Sequence, residues 1–238
     1  VSSGRKPRLL IVGAGMMGRE HLRVSQLINW ATVQGIVDPD GGSLEWACTD
    51  WRLLTDAPLT IYRDLSEACL DEQVDAMVIA TPNHTHRDVL HAVAASQKPV
   101  LLEKPMATTL ADAMDIVNLA QGYPAVIQLG MQYRFKAQYV DALQAVTAEC
   151  ALGLVKTVAM SEYRPPFLDK VDQWNKFNRN SGGTLVEKCC HYFDLINVVA
   201  RSRPRRVYGS GGRAVNFLDF EWQGEQSDID DHAMVIID

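Results

Sequence analysis

The sequence predicts an α/β fold: an N-terminal Rossmann-type, doubly wound parallel sheet, followed by an α+β domain with an open, mostly antiparallel sheet. Three observations predict it. From Pro7 to about Gly130, short apolar runs alternate with amphipathic stretches, the rhythm of a parallel sheet covered on both faces. Gly13, Gly15 and Gly18 stand between the first apolar run and the first amphipathic stretch. After Gly130 the runs become longer and more alternating and are grouped together, as in a mixed or antiparallel sheet. The domain boundary is placed between Met131 and Lys136, giving domains 1–131 and 132–238.

Each element has its own signal. "RLLIVG" reads as a buried strand, followed by a helix from Met16 to about Asn29. "ATVQGIVD" is the second strand, "SLEWACTDWRLL" the next helix and "TIYRD" a short third strand. In "DLSEACLD", Asp64 at the N-cap and Glu67 three positions on have capping-box spacing. "DAMVIAT" is the fourth strand, "HRDVLHAVAAS" a helix, and "KPVLLEKP" a fifth strand ended by Pro105. "TLADAMDIVNLAQ" and "AVIQLG" close the first domain as helix and sixth strand. Beyond it come a helix from about Ala137 to Cys150 and a long strand in "LVKTVAMSEYR". A polar loop, "PPFLDKVDQWNKFNRNSGG", leads to a helix from Val186 to Val199, then to strands in "RRVYGSGGRAV" and "HAMVIID".

Composition excludes several classes of function. A net charge of −6 offers no electrostatic attraction to nucleic acid or an anionic membrane. No apolar run approaches the roughly 20 residues that a bilayer-spanning helix needs. Cys48, Cys69, Cys150, Cys189 and Cys190 are irregularly spaced and contain no CxxC, which argues against a disulfide scaffold and for a reducing, cytoplasmic setting. "VSSGRKPRLLIVG" runs from a short basic stretch into a strand and glycines, unlike a secretory signal. The strand pattern in "DDHAMVIID" has barely begun where the sequence stops, so a further C-terminal piece is expected.

The glycines have GxGxxG spacing in a strand-to-helix context. The first permits a tight turn, the second lets backbone approach a pyrophosphate, and the third lets helix and strand pack closely. Asp38 ends the second strand twenty positions after Gly18 (38 − 18 = 20). A carboxylate there accepts from both ribose hydroxyls and repels a 2′-phosphate, which favours NAD over NADP. The plainer reading of Asp38 is a turn former before Pro39. Two segments follow strand ends, where open parallel sheets bind ligands: "ATPNHTHRD" and "EKPMATT". His84 and His86 are a metal pair by composition, but no Cys or carboxylate stands at ligand spacing, so no metal is expected. Pro105 ends its strand, so Glu103 and Lys104 are expected to emerge into a crevice; a solvated lysine is the alternative.

These residues resemble the Gfo/Idh/MocA family of oxidoreductases. The likeness lies in "GAGMMGREH" (Gly13 to His21), "TPNHTH" (Thr81 to His86), "EKP" (Glu103 to Pro105) and "GGTLVEKCCHYFD" (Gly182 to Asp194), in the same order along essentially the whole chain. The resemblance implies a Rossmann domain, with nicotinamide and substrate held against the open sheet of the second domain. It also implies further strands that complete that sheet, and a homodimer or homotetramer. As cofactor contacts it implies Met16, Met17, Thr81, Asn83, His86, Glu103, Lys104, Gln132 and Trp174 beside the three glycines and Asp38. Arg134 and Tyr163 are implied near the substrate.

The densest cluster is Glu187, Lys188, Cys189, Cys190 and His191. On one continuous helix, Glu187, His191 and Asp194 fall on a single face, an acid/base face. Adjacent cysteines point about 100° apart on a helix, which disfavours a metal site, and a disulfide between them is strained. A histidine bonded to Asp194 in the core is the plainer reading of His191. The family pattern is Asp-x-Gly-x-His with the histidine as proton acceptor. By that resemblance His191 is the general base, Glu187 stands in the aspartate position and Cys189 replaces the glycine. The catalytic residues expected are therefore Lys104, His191 and Glu187. The expected activity is an NAD-dependent dehydrogenase acting on a secondary hydroxyl of a sugar, cyclitol or related polyol. The alternative is a non-catalytic NAD(H)-binding sensor or regulatory protein.

Overall fold

The computed structural model describes residues 4–148 and 151–238, which form two compact units, Val1–Gly130 and Met131–Asp238. In the first unit, six strands lie in the order β3-β2-β1-β4-β5-β6, all parallel. They are β1 (Arg8–Val12), β2 (Thr32–Val37), β3 (Thr60–Ile61), β4 (Ala76–Ile79), β5 (Val100–Leu102) and β6 (Ile127–Leu129). The helices between them are α1 (Met16–Ile28), α2 (Gly41–Leu54), α3 (Leu65–Leu70), α4 (His86–Ala94) and α5 (Leu110–Gly122). Every strand and helix predicted for this region is present.

Alternation along the strands divides the core between the two faces of the sheet. Leu10, Val12, Met77 and Ile79 face one way and pack with Ala68, Leu90, Val93 and Ile116 of α3, α4 and α5. Ile11, Val78 and Ile36 face the other way, against Leu22, Ala47 and Trp51 of α1 and α2. Both faces being covered, the strands read as continuous apolar runs, and for that reason they were visible in the sequence. Caps fix the helix starts. The Asp64 carboxylate accepts the Glu67 N–H at 2.9 Å, and Glu67 returns to accept the Arg63 N–H at 2.9 Å, one residue before the usual capping-box position. Asp40 and Thr109 accept from Ser43 and Asp112 at the starts of α2 and α5.

The second unit departs from expectation in three places. After a 3₁₀ turn at Gln132–Phe135, α6 covers Ala137–Thr147; the expected end at Cys150 lies outside the described residues. The strand expected in residues 154–164 is not formed. Its side chains alternate, but they are exposed almost throughout, and β7 (Val207–Gly212) pairs instead with β10 (His232–Ile237) in an antiparallel ladder. A strand is stabilised by ladder bonds and burial of one face, and this segment has neither. The polar loop contains a 3₁₀ turn at Val171–Lys176 and a short helix, α7 (Asn178–Ser181). Lys176 holds that turn: buried, it pairs with Asp169, donates to Gln173 Oε1 at 2.7 Å, and lies over the rings of Phe217 and Phe220.

The third departure matters most. The single helix expected over 186–199 is two, α8 (Gly183–Glu187) and α9 (Cys190–Ala200), separated at Lys188 and Cys189. The remaining pieces are a small hairpin, β8 (Glu221–Trp222) and β9 (Glu225–Gln226), turned by Gln223 and Gly224, both at positive φ.

Candidate functional site

The glycine loop follows β1, at the point where β2 leaves on one side and β4 on the other. Gly13 has φ +99°, and a Cβ there would lie 2.7 Å from the Ala80 carbonyl oxygen. A Cβ on Gly18 would lie 1.9 Å from the Gly13 carbonyl oxygen, so only glycine lets α1 pack against the loop. A Cβ on Gly15 would meet no atom within 4 Å. Tightness at 13 and 18 with open space at 15 is the arrangement a pyrophosphate needs. Gly15 caps α1 without a side-chain bond, and the first turn of α1 carries no acidic residue, so its N–H groups suit an anion. Met16 and Met17 open that turn.

Asp38 lies beside the loop as expected, with a role the sequence did not reveal. Its Oδ2 accepts the Ala14 N–H at 2.6 Å and its Oδ1 accepts the Asp40 N–H at 2.8 Å. It therefore braces the glycine loop, and each oxygen keeps a second lone pair for a ribose hydroxyl. These residues fit a dinucleotide.

The two strand-end segments are tied together. His86 is fully buried, with Nδ1 2.8 Å from the Pro105 carbonyl oxygen and Nε2 3.1 Å from that of Thr81. His86 thus links the loop after β4 to the loop after β5. Thr81 also accepts from Thr85 at 2.8 Å, Asn83 is buried, and His84 is exposed. Among the described residues no group of three or more His, Cys, Asp or Glu could hold a metal ion.

Glu103 corrects an expectation: it does not emerge into open space. It is 6% exposed, with Oε1 2.8 Å from His21 Nε2 and Oε2 accepting the Lys104 N–H at 3.1 Å. Burial works to raise its carboxyl, but the His21 hydrogen bond, the His21 charge and the Lys104 N–H outweigh it and hold the group below its ordinary value. Glu103 is thus a brace between α1 and the Lys104 backbone. Lys104 itself is half-buried at the end of β5.

In the second unit, Glu187 lies at the end of α8 and His191 in the first turn of α9. Glu187 is buried, with Lys170 Nζ 3.3 Å from its Oε1; that ammonium lies 4.2 Å from the Trp174 ring centroid. His191, 3% exposed, stacks on Tyr133 with ring centroids 3.9 Å apart and planes 5° apart. Asp194 is engaged by Arg134, through Nε at 2.6 Å and Nη2 at 2.5 Å. The single continuous helix expected to carry Glu187, His191 and Asp194 on one face is interrupted at Lys188 and Cys189, between the first two of them. Arg134 is held by its carboxylate in a bidentate pair, and Tyr163 is fully exposed. Gln132 is exposed in the 3₁₀ turn that carries Tyr133.

The sequence gives no signal for Tyr133, and it places Lys188 in the dense cluster without a role. Lys188 donates to the Tyr133 hydroxyl and pairs with Glu162 at 3.2 Å. Burial works to raise the Tyr133 phenol, but Lys188 and then Lys136 outweigh it and hold the phenol below its ordinary value. Cys189 moves the other way: burial, then the Glu162 charge, push its thiol up. Cys48, Cys69, Cys189 and Cys190 are all free thiols; Cys150 lies outside the described residues.

Comparison with known proteins decides the lineage. Residues 8–131 match the model of an oxidoreductase family with an NAD-binding Rossmann fold, and residues 140–238 match the GFO/IDH/MocA C-terminal domain. The chain belongs to the Gfo/Idh/MocA family. It is 27% identical over 198 residues to the rhizopine catabolism protein MocA of Rhizobium meliloti, an alignment covering 83% of this chain and 58% of that protein. It is 36% identical over 135 residues to an inositol 2-dehydrogenase of Leifsonia xyli subsp. xyli, covering 56% of this chain and 38% of the relative. The crystal structure of GenD2 from gentamicin A biosynthesis, in complex with NAD, superposes with a TM-score of 0.77 at 22% identity, covering all of this chain and 64% of that one. The family member described here thus spans less than two thirds of the length of these relatives. No helix among its described residues is long and apolar enough to cross a membrane.

Proposed function

We propose that this Gfo/Idh/MocA family member is an NAD-dependent dehydrogenase that oxidises a secondary hydroxyl of a sugar, cyclitol or related polyol, or reduces the corresponding carbonyl. The observation that carries the reading is the glycine loop, closed at positions 13 and 18 and open at 15, with Lys104 on the same strand-end side of the parallel sheet. The name of the Leifsonia relative supports a cyclitol-type substrate. Asp38 favours NAD over NADP, because a 2′-phosphate would meet its negative charge.

When bound, the nicotinamide supplies the hydride acceptor for alcohol oxidation. The chain's own groups handle the proton and the charge. His191 accepts the hydroxyl proton, a task suited to an imidazole whose unperturbed pKa of about 6.5 lies near neutral pH. Lys104 hydrogen-bonds the same oxygen and stabilises its developing negative charge. Glu187 orients the substrate, and Gln132, Trp174, Arg134 and Tyr163 complete the nicotinamide and substrate surroundings. The protein works in the cytoplasm as a homodimer or homotetramer, with neither nucleic acid nor membrane as partner.

The test is a polyol panel with NAD⁺, following nicotinamide absorbance for the native protein and Lys104→Met. The reading expects turnover of at least one cyclitol or sugar, lowered about 10²- to 10³-fold in the variant. Comparable turnover in both proteins would remove Lys104 from the mechanism. One observation favours a second reading, a non-catalytic NAD(H)-binding sensor or regulatory protein. The Glu187 carboxylate is already engaged by Lys170, and Cys189 fills the place of the family's glycine. Tight NADH binding with no turnover across the panel would select that reading.

A further inference from the structure

Lys188 stands in the interruption between α8 and α9. Lys188 has φ −110° and ψ −48°, and its ammonium reaches the Tyr133 hydroxyl in the 3₁₀ turn at Gln132–Phe135. Tyr133 is 8% exposed, and His191, the first full turn of α9, lies flat against its ring. The opposite face of that ring carries Lys136, whose Nζ is 3.6 Å from the centroid; at these separations imidazole and ammonium cannot share a face. Tyr192 meets the ring edge-on at 6.0 Å, Tyr139 stacks at 5.5 Å, and Glu162 holds Lys188 from its other side. A phenol ring gripped at its hydroxyl and on one face has little freedom to tilt. An imidazole stacked 5° from parallel on it inherits that restraint.

We propose that Tyr133 is the positioning residue for His191, and that Lys188 is the clamp that holds Tyr133 in place. The assignment rests on the reading of His191 as proton acceptor, because only then does the plane of the imidazole govern turnover. The physical logic is that of preorganisation. A base must present its nitrogen along the hydroxyl proton's path, and a displacement of about 1 Å costs on the order of 10²-fold in rate. The family pattern places a small residue where Cys189 stands. Here Cys189 and Lys188 occupy the turn between the two helices, and the stacking platform comes from another element.

The consequence can be read without a substrate. In histidine-labelled protein, the ring protons of His191, assigned by their loss in His191→Gln, should be shifted upfield by the Tyr133 ring current. Tyr133→Leu should abolish that shift, Tyr133→Phe should keep most of it, and Lys188→Met should reduce it and broaden the lines. His191 signals in Tyr133→Leu that coincide with the native ones would overturn the proposal. If that variant does not fold, unchanged shift and linewidth in Lys188→Met would overturn the clamp. With whichever polyol proves active, Tyr133→Leu should lower kcat about 10²-fold while NADH affinity stays unchanged, and Tyr133→Phe should restore most of kcat. Native kcat in Tyr133→Leu alongside lost kcat in His191→Gln would overturn the positioning role alone. Native kcat in His191→Gln would instead overturn the proposed function, and the ring-proton shifts would still decide the stacking.

Discussion

Gly15 and Gly18 place opposite demands on one loop, and the difference is testable one methyl group at a time. Gly15→Ala adds a Cβ that meets no protein atom, at a backbone conformation of φ −67° and ψ −167° that alanine tolerates. It should fold with near-native thermal stability yet bind NADH at least tenfold more weakly in a fluorescence titration, because the methyl enters the pyrophosphate's space. Gly18→Ala forces its Cβ into the Gly13 carbonyl and should cost about 1–3 kcal/mol or more in denaturant unfolding. The glycine spacing made both roles legible in the sequence. The tertiary partners were not legible: His21 with Glu103, Ala14 with Asp38, and Lys188 with Tyr133 are between 24 and 82 positions apart. No local pattern encodes such pairs, because each is selected by the packing that brings its elements together.

Local rules at the element scale succeeded wherever local forces decide. Asp64 caps α3 as its spacing predicts, and Asp64→Ala should lower the urea midpoint of unfolding. Asp75, just before β4, accepts from both Nη atoms of Arg5 at 2.8 Å and from the Arg8 N–H at 2.8 Å. The Arg5 hydrogen bonds, against a smaller opposing effect of burial and aided by Arg8, take its pKa from 3.8 to about 2. The stabilisation this implies is complete above about pH 4 and is lost as pH falls toward 2. Both partners are partly exposed, so solvent screening reduces it to about 1 kcal/mol. Asp75→Asn should therefore lower the melting temperature at pH 7 and flatten its fall between pH 4 and pH 2. An unchanged acid limb would show that the pair contributes nothing. Local rules failed in the second unit. Residues 154–164 alternate like a strand but have no ladder, and helix-favouring residues around Lys188 concealed a break that accompanies its tertiary bond to Tyr133. The β8–β9 hairpin is turned by a Gln-Gly pair between two-residue strands, a local signal present in the sequence.

For the whole molecule, the parallel sheet was legible because burial on both faces writes itself into the chain as apolar runs, whereas the second unit exposes much of its strand surface. The central proposal is functional: that Lys104 of the first unit and His191 of the second serve the same oxygen of one substrate. The most direct test is a double-mutant cycle on kcat/KM for the active polyol, using Lys104→Met, His191→Gln and the two together. Groups that act on one oxygen in one transition state are strongly non-additive, so the double variant should be about as slow as the slower single variant. Losses that simply multiply, or a single variant with native kcat/KM, would contradict the account.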